Sequence, residues 1–459
     1  MSDTVELISP IDGSVYLTRR VLSRDAAFLA ASRARGAQMA WGARPLEDRI
    51  ALVLKANEIL GQSAEQMATE LAHQIGRPVR YGGEYGGFSE RLTHMAQIAE
   101  GALAPIEVED SPAFRRRIER APWGTVLVVA PWNYPYMTAI NTIAPALIAG
   151  NTVILKHAGQ TLLVGDRLAE AFHAAGLPED VFQNLVLDHA TASALISERA
   201  VDFVNFTGSV GGGKAMERAA AGTFTPVSTE LGGKDPGYVR ADADLDAAVD
   251  TLLDGAMFNS GQSCCGIERI YVHHSLYDDF VDKAVDWARS QVLGNPLAPE
   301  TTLGPMAHAR FASGVRDHVS EAVTAGAMAH VPRMDADDGG AYVTPQVLTG
   351  VNHEMRVMNE ETFGPVVGIM AVKDDEEAIA LMNDSAYGLT ASIWSSDPEA
   401  AEAIGDRLQT GTVFLNRCDY LDPALCWTGQ KDTGRGAGLS VLGYAALTRP
   451  KSYHLKKST

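Results

Sequence analysis

Between residues 124 and 230, short apolar runs alternate with longer stretches of helical spacing. The run Thr-Val-Leu-Val-Val-Ala at 125–130 has strand length and no polar face; 152–155, 184–187, 202–206 and 227–230 read as further short strands. Helices are predicted between them over 137–149, 163–175, 190–199 and near 214–221, with a turn at 131–135 and a glycine-rich turn at 208–213. Short apolar strands alternating with helices predict a parallel sheet covered on both faces. In such sheets ligands bind beyond the carboxyl ends of the strands. A second α/β region over 233–430 offers helices at 244–256, 276–291 and 375–383, and strands at 269–272, 365–371, 391–395 and 411–415. Upstream, Ile50, Val53, Leu54, Asn57, Leu60, Met67, Leu71 and Ile75 keep helical spacing across 48–76. Gly76–Pro78 stops that run, and more helix is expected to about Leu103. Residues 1–20 predict short extended segments, and the basic residues 450–459 an edge strand.

Length and composition narrow the class. A chain of 459 residues suggests two or three domains, and 46% hydrophobic with 21% charged residues is ordinary globular composition. The formal charge of -19 argues against nucleic-acid and anionic-membrane partners. No signal peptide is visible at the N-terminus. The most apolar stretch, 137–150, is interrupted by Asn141 and Pro145 and is too short to span a bilayer. A soluble cytoplasmic protein is expected. Cys264, Cys265, Cys418 and Cys426 fit neither a metal-ligand spacing nor a disulfide framework, so no metal is expected and a reducing compartment is the simplest reading.

Three stretches carry candidate chemistry. Cys264 follows Gly261-Gln262-Ser263, and a nearby glycine lets backbone approach a substrate closely. A thiolate is the strongest side-chain nucleophile, although two adjacent cysteines read alone are small buried hydrophobes. Glu230 ends the predicted last strand before Leu231-Gly232-Gly233-Lys234, where a carboxylate can act as a general base. Alone, it is a solvated strand end. Pro131-Trp132-Asn133 directly follows the strand at 125–130, and the Asn133 amide there can donate to an oxyanion. Alone, it is a proline-bounded turn.

Taken together and in order, these stretches resemble the aldehyde dehydrogenase superfamily over nearly the whole chain. The likeness rests on PWN at 131–133, GNTVILK at 150–156, FTGS at 206–209, ELGGK at 230–234, GQSC at 261–264, EETFGP at 360–365, and Asn383 with Tyr387-Gly388-Leu389. The resemblance implies a Rossmann-type cofactor domain (1–103 and 123–232, with 433–449), an α/β catalytic domain (233–432) and a small β oligomerisation arm (104–122 and 450–459). A homodimer or homotetramer is then expected. It further implies a non-acylating enzyme that oxidises an aldehyde to its acid through a Cys264 thiohemiacetal and thioester, with hydride passing to NAD or NADP. Asn133 and the Cys264 amide would hold the oxyanion, and Glu230 would assist hydrolysis. Lys156 would bond the adenosine ribose and Glu361 the nicotinamide ribose. Phe363 would lie beside the nicotinamide ring, and Gly208 and Ser209 would meet the pyrophosphate. Ala130, Pro131, Trp132 and Leu231 would complete the cofactor site.

Two departures matter. Gly159 stands where NAD-preferring members carry an acid; no nearby arginine obviously recruits a 2′-phosphate, so the reading leans slightly to NAD. The resemblance also implies that a leading N-terminal segment is missing or short relative to many members. Tyr134, Met137, Ser263, Arg417 and Trp427 are the expected substrate contacts, with Asp419 and Tyr420 at the mouth. Arg417 is suited to a distal carboxylate or to an internal salt bridge, and Asp419 or Asp422 equally to pairing with Arg417 or to a cationic aminoaldehyde. The 411–436 region and Lys156-His157-Ala158 are loosely similar to the succinate-semialdehyde subgroup. Acylating members lack the deacylating glutamate, which is present here as Glu230. A catalytically silent structural or binding protein on the same scaffold is the alternative; such proteins typically lose the cysteine or cofactor contacts retained here.

Overall fold

The structure is a computed structural model that describes residues 4–457. Two open sheets packed by helices, one three-stranded antiparallel sheet and two two-stranded antiparallel pairs organise the chain. The first sheet is five-stranded and wholly parallel, in the order Phe182–Asn184, Thr152–Lys156, Thr125–Val129, Phe203–Thr207, Val227–Glu230. Thr125–Val129 and Thr152–Lys156 are buried at every position, as their unbroken apolar runs require. The sheet starts in the middle and grows outward in both directions. Its switch point therefore lies between Thr125–Val129 and Phe203–Thr207, and the crevice there opens at Ala130–Asn133 and Thr207–Ser209.

The second sheet has seven strands, in the order Met328–Ala329, Gln346–Thr349, Val366–Val372, Ile267–His273, Asp235–Val239, Thr390–Trp394, Thr412–Leu415. All pairs are parallel except the first. The carboxyl end of Val227–Glu230 leads through Leu231–Lys234 straight into Asp235–Val239, so the first sheet's ligand end faces the entry ends of the second. The third sheet pairs Phe114–Pro122 with Ile106–Asp110 and, over nine positions, with Thr448–Lys456. Residues 458–459 of the expected tail lie outside the described residues, as do residues 1–3 of the expected cofactor domain.

Several local expectations change. The helical run over 48–76 is two helices, Leu46–Gly61 and Ala64–Ile75, broken at Gln62–Ser63. The expected strand at 184–187 pairs instead at Phe182–Asn184. The glycine-rich turn is mostly helix: Val210–Ala220 begins before the glycines because the Ser209 side chain accepts from the Gly212 N–H at 3.2 Å, and small residues are needed where Gly212 packs on Phe206 and Gly213 on Leu231. Helix Arg24–Gly42, strand Asp235–Val239 and helix Ala309–Thr324 are further elements. No helix among the described residues is long and apolar enough to cross a membrane.

Candidate active site

Cys264 sits in a turn just before strand Ile267–His273, half-buried. The segment leading to it is unusual. Asn259, Ser260 and Gly261 take left-handed backbone angles in succession, with φ of 54°, 57° and 68°. Non-glycine residues hold such angles only where surrounding bonds impose them. Asn259 supplies three: its Nδ2 donates to the Asn133 carbonyl (3.1 Å) and the Gln262 carbonyl (3.3 Å), and its Oδ1 accepts from Arg77 Nε (3.0 Å). Ser260 Oγ donates to Gly304 O (2.8 Å), and Gln262 Oε1 accepts from the Ala307 N–H (2.7 Å). Gly261 has no room for a side chain, because a Cβ there would overlap the Gly364 carbonyl.

The same arginine ties this loop to the Pro131–Asn133 turn. Arg77 Nη2 donates to the Asn133 carbonyl at 2.7 Å, and Arg77 pairs with Glu84 in a buried ion pair. Glu84 Oε2 in turn accepts from the N–H groups of Tyr136 and Met137, both at 3.0 Å, in the first turn of helix Pro135–Ile148. A carboxylate there meets the positive end of the helix. Asn133 itself is buried and is not among the residues lining the cavity described below.

Glu230 ends its strand buried, 7% exposed. Thr207 Oγ1 donates to Oε2 at 3.4 Å, whereas Oε1 has no hydrogen-bond partner within the protein. Burial without compensation pushes its pKa from 4.5 up to about 7. Gly436 and Gly438 press against it; a Cβ on Gly438 would come within 2.7 Å of Oε1.

Glu230, Leu231, Cys264, Tyr134, Met137, Ser263 and Trp427 line one cavity of about 210 Å³. Asp419 and Tyr420 line it too. Asp419 is half-buried; its Oδ1 accepts from Ser263 Oγ (3.1 Å) and Cys265 Sγ (2.9 Å), and desolvation raises its pKa to about 6. Arg417 is not in this cavity. It is exposed, with its guanidinium 3.6 Å from the centre of the Tyr420 ring. The cation that does line the cavity is Arg91 from helix Tyr85–Leu103, joined by Asn141 and Thr138. A single arginine beside Glu90 in an amphipathic helix gives no sequence signal of burial, which comes only from packing against helix Pro135–Ile148. A larger hollow of about 680 Å³ shares Tyr134 and Met137 with this cavity but contains no cysteine.

Of the residues expected at a cofactor, Ala130–Trp132, Lys156, Gly208, Ser209 and Leu231 lie at the carboxyl ends of the first sheet's strands, and Glu361 and Phe363 on the segment before strand Val366–Val372. Lys156 is buried, its Nζ donating only to the neighbouring His157 carbonyl at 3.4 Å, and desolvation lowers its pKa. Gly208 N–H donates to the Glu230 carbonyl (3.1 Å), and Ala130 N–H to that of Lys156 (3.1 Å). Glu361 Oε1 accepts from the Gly233 N–H at 3.2 Å, and burial, then the Glu268 charge, raises its pKa to about 8. Glu268 accepts from the N–H groups of Thr362 and Phe363, both at 2.8 Å, and is paired with fully buried Lys234. Trp132 stacks on Phe311 (5.0 Å) and meets Phe363 edge-on (5.5 Å). A lysine with a single long bond to its neighbour's carbonyl, a carboxylate held mainly by one backbone donor and an N-capped helix start fit the groups of a dinucleotide. Among the described residues no cluster of three or more His, Cys, Asp or Glu is placed to hold a metal.

These features define an α/β fold in which a cysteine and a carboxylate line one cavity near the carboxyl ends of a parallel sheet. Residues 1–453 match the model of the aldehyde dehydrogenase family, and the chain belongs to that family. It is similar to the succinate-semialdehyde dehydrogenase [NADP(+)] of Deinococcus radiodurans, 34% identical over 420 residues, 91% of this chain and 88% of that one. It is also similar to the betaine aldehyde dehydrogenase of Bacillus subtilis, 31% identical over 462 residues, 99% and 94% of the two chains. The solved NAD-dependent aldehyde dehydrogenase of Sinorhizobium meliloti superposes with a TM-score of 0.95 at 32% identity, covering 99% of this chain and 92% of that one. The protein is an NAD(P)-dependent aldehyde dehydrogenase.

Proposed function

We propose that Cys264 is the nucleophile and Glu230 the base of an aldehyde oxidation that ends in hydrolysis. The observation that carries this reading is the shared cavity: the Cys264 turn and a buried, partly unpartnered Glu230 carboxylate line the same small space. Cys264 Sγ adds to the carbonyl carbon. The oxyanion so formed is met by the Cys264 N–H and the Asn133 amide, whose backbone is pinned by Arg77 and Asn259. A bound nicotinamide dinucleotide supplies the hydride acceptor. The acyl group is then a thioester on Cys264. Glu230 takes a proton from water through Oε1, the water oxygen attacks the thioester carbon, and the C–S bond breaks to release the carboxylic acid and the Cys264 thiolate. A base with a pKa of about 7 is about half ionised at neutral pH and basic enough to accept that proton.

Lys156 and Glu361 are assigned to the two ribose groups, Ser209 and Gly208 to the pyrophosphate, and Trp132 and Phe363 to the nicotinamide side. NAD is placed slightly ahead of NADP on the absence of an arginine near Gly159. The five-stranded sheet is assigned to the cofactor, the seven-stranded sheet to catalysis, and the three-stranded sheet to self-association as a dimer or tetramer. The test is reduced-cofactor formation with small aldehydes, NAD and NADP supplied in turn. Wild-type enzyme is expected to turn over, and Cys264→Ala to fall to background. Near-wild-type turnover in Cys264→Ala would move the nucleophile elsewhere.

A further inference from the structure

Arg91 is an anomaly among the buried arginines. Arg49 spends its donors on the carbonyls of Gly42, Arg44 and Ile148; Arg77 is paired with Glu84; Arg269 donates to four backbone carbonyls. Arg91 is 7% exposed, yet it uses only Nη1, donating to Met137 O at 3.0 Å and Asn141 Oδ1 at 3.4 Å. Among the described residues, Nε and Nη2 have no acceptor and no carboxylate lies within ion-pair reach. Beside it, Asn141 is 2% exposed and its Nδ2 is buried with no partner. Both residues line the cavity that holds Cys264 and Glu230.

The acidic groups of the cavity do not answer this cation. Asp419 is taken up by Ser263 and Cys265, and Glu90 accepts from the Tyr420 hydroxyl at 2.9 Å. Glu230 keeps its own bond to Thr207. A planar guanidinium with one free edge matches a carboxylate, which it binds through two parallel N–H bonds. The Asn141 amide is a further donor for the same group. A phosphate dianion fits less well, because Arg91 is the single cation among the described residues lining the cavity and three acids surround it.

We propose that Arg91 and Asn141 form the substrate-specificity site of this enzyme and select an aldehyde that carries a carboxylate away from the reacting carbon. The proposal rests on the aldehyde dehydrogenase reading with Cys264 and Glu230 in the same cavity. It places the specificity cation on helix Tyr85–Leu103 and not on the 411–427 loop.

The experiment compares kcat/KM for succinic semialdehyde and for butanal, its uncharged counterpart of equal chain length, with glyceraldehyde 3-phosphate as a third arm. For wild type the ratio of the first to the second is expected to be on the order of 10². In Arg91→Met it should collapse toward one, and in Arg91→Lys and Asn141→Ala it should fall to intermediate values. The ratio cancels any general loss of activity in a variant. On wild-type enzyme alone, butyrate should compete with the aldehyde and butyramide should not, which keeps the proposal testable if a variant fails to fold. A wild-type ratio near one, a ratio unchanged in Arg91→Met, equal inhibition by butyrate and butyramide, or preference for the phosphate overturns the proposal while turnover of butanal leaves the dehydrogenase reading standing. No cofactor reduction with any of the aldehydes would overturn both.

Discussion

Replacing Glu230 by glutamine should stabilise this enzyme at alkaline pH while disabling it. The folded-state pKa of about 7 lies above the ordinary 4.5, so between these values the folded protein binds the proton more tightly than the unfolded chain. Stability therefore falls as pH rises through that window, and the full penalty is present above about pH 7. Some 2.5 units at about 1.4 kcal/mol each make roughly 3 kcal/mol. Glutamine does not titrate and escapes this penalty. For 459 residues the unfolding entropy is about 1 kcal/mol per kelvin, so the variant should gain roughly 3 °C on wild type between pH 4.5 and pH 8. The 3.4 Å bond from Thr207 is long, and its loss adds only a small pH-independent offset. The assay is thermal unfolding of both proteins at half-unit pH steps, without cofactor. A difference in Tm that stays flat with pH, or shifts in favour of wild type as pH rises, would refute the reasoning. Catalytically, wild-type hydrolysis should rise through about pH 7, whereas Glu230→Gln should show a burst of reduced cofactor followed by a slow steady state.

Three other perturbations test the scaffold around the site. Glu84→Gln strands Arg77 as an unpaired buried charge and leaves a single amide oxygen for donors that two carboxylate oxygens now serve; a loss of about 3–5 kcal/mol in denaturant unfolding is expected. Gly261→Ala forces a methyl group into the Gly364 carbonyl from a left-handed backbone, and displacement of the Cys264 turn should lower kcat on the order of 10²-fold or more. Glu268→Gln loosens the Thr362–Phe363 turn that carries Glu361, so KM for the dinucleotide should rise about 10-fold with KM for aldehyde little changed, as steady-state kinetics will show.

The sequence exposes those parts of the fold where a single residue type repeats its burial. Thr125–Val129 and Thr152–Lys156 are apolar at almost every position and buried at every position, so strand and sheet class follow directly. Asp235–Val239 is as deeply buried, but Asp235, Pro236 and Gly237 disguise it as a turn; Thr390 rescues the acid, donating to Asp235 through N–H and Oγ1. Helix Arg24–Gly42 buries mostly alanines, which leave little periodic signal. At the site, the motifs point to Cys264, Glu230 and Glu361 because their neighbours are glycines at fixed offsets. Arg91 and Asn141 have no such frame. Their burial exists only because helix Tyr85–Leu103 lies along helix Pro135–Ile148, a relation between elements that no local pattern encodes.

The last helix and strand of the fold return to its first core. Leu439, Tyr444 and Leu447 pack in one cluster with Val126 and Val153, Tyr444 Oη donates to Met95 O, and Asn151 Nδ2 reaches Leu447 O across 296 residues of chain. On the ribosome, at about 5–20 residues per second, Asn151 waits roughly 15–60 s for that acceptor to be made. Throughout that interval strand Phe114–Pro122 has an open edge and the apolar face of helix Tyr85–Leu103 lacks its final cover. The half-made chain thus carries an unpaired strand edge of the third sheet and an incompletely covered helix face, and the speed of translation through the second half of the message sets how long both stay open.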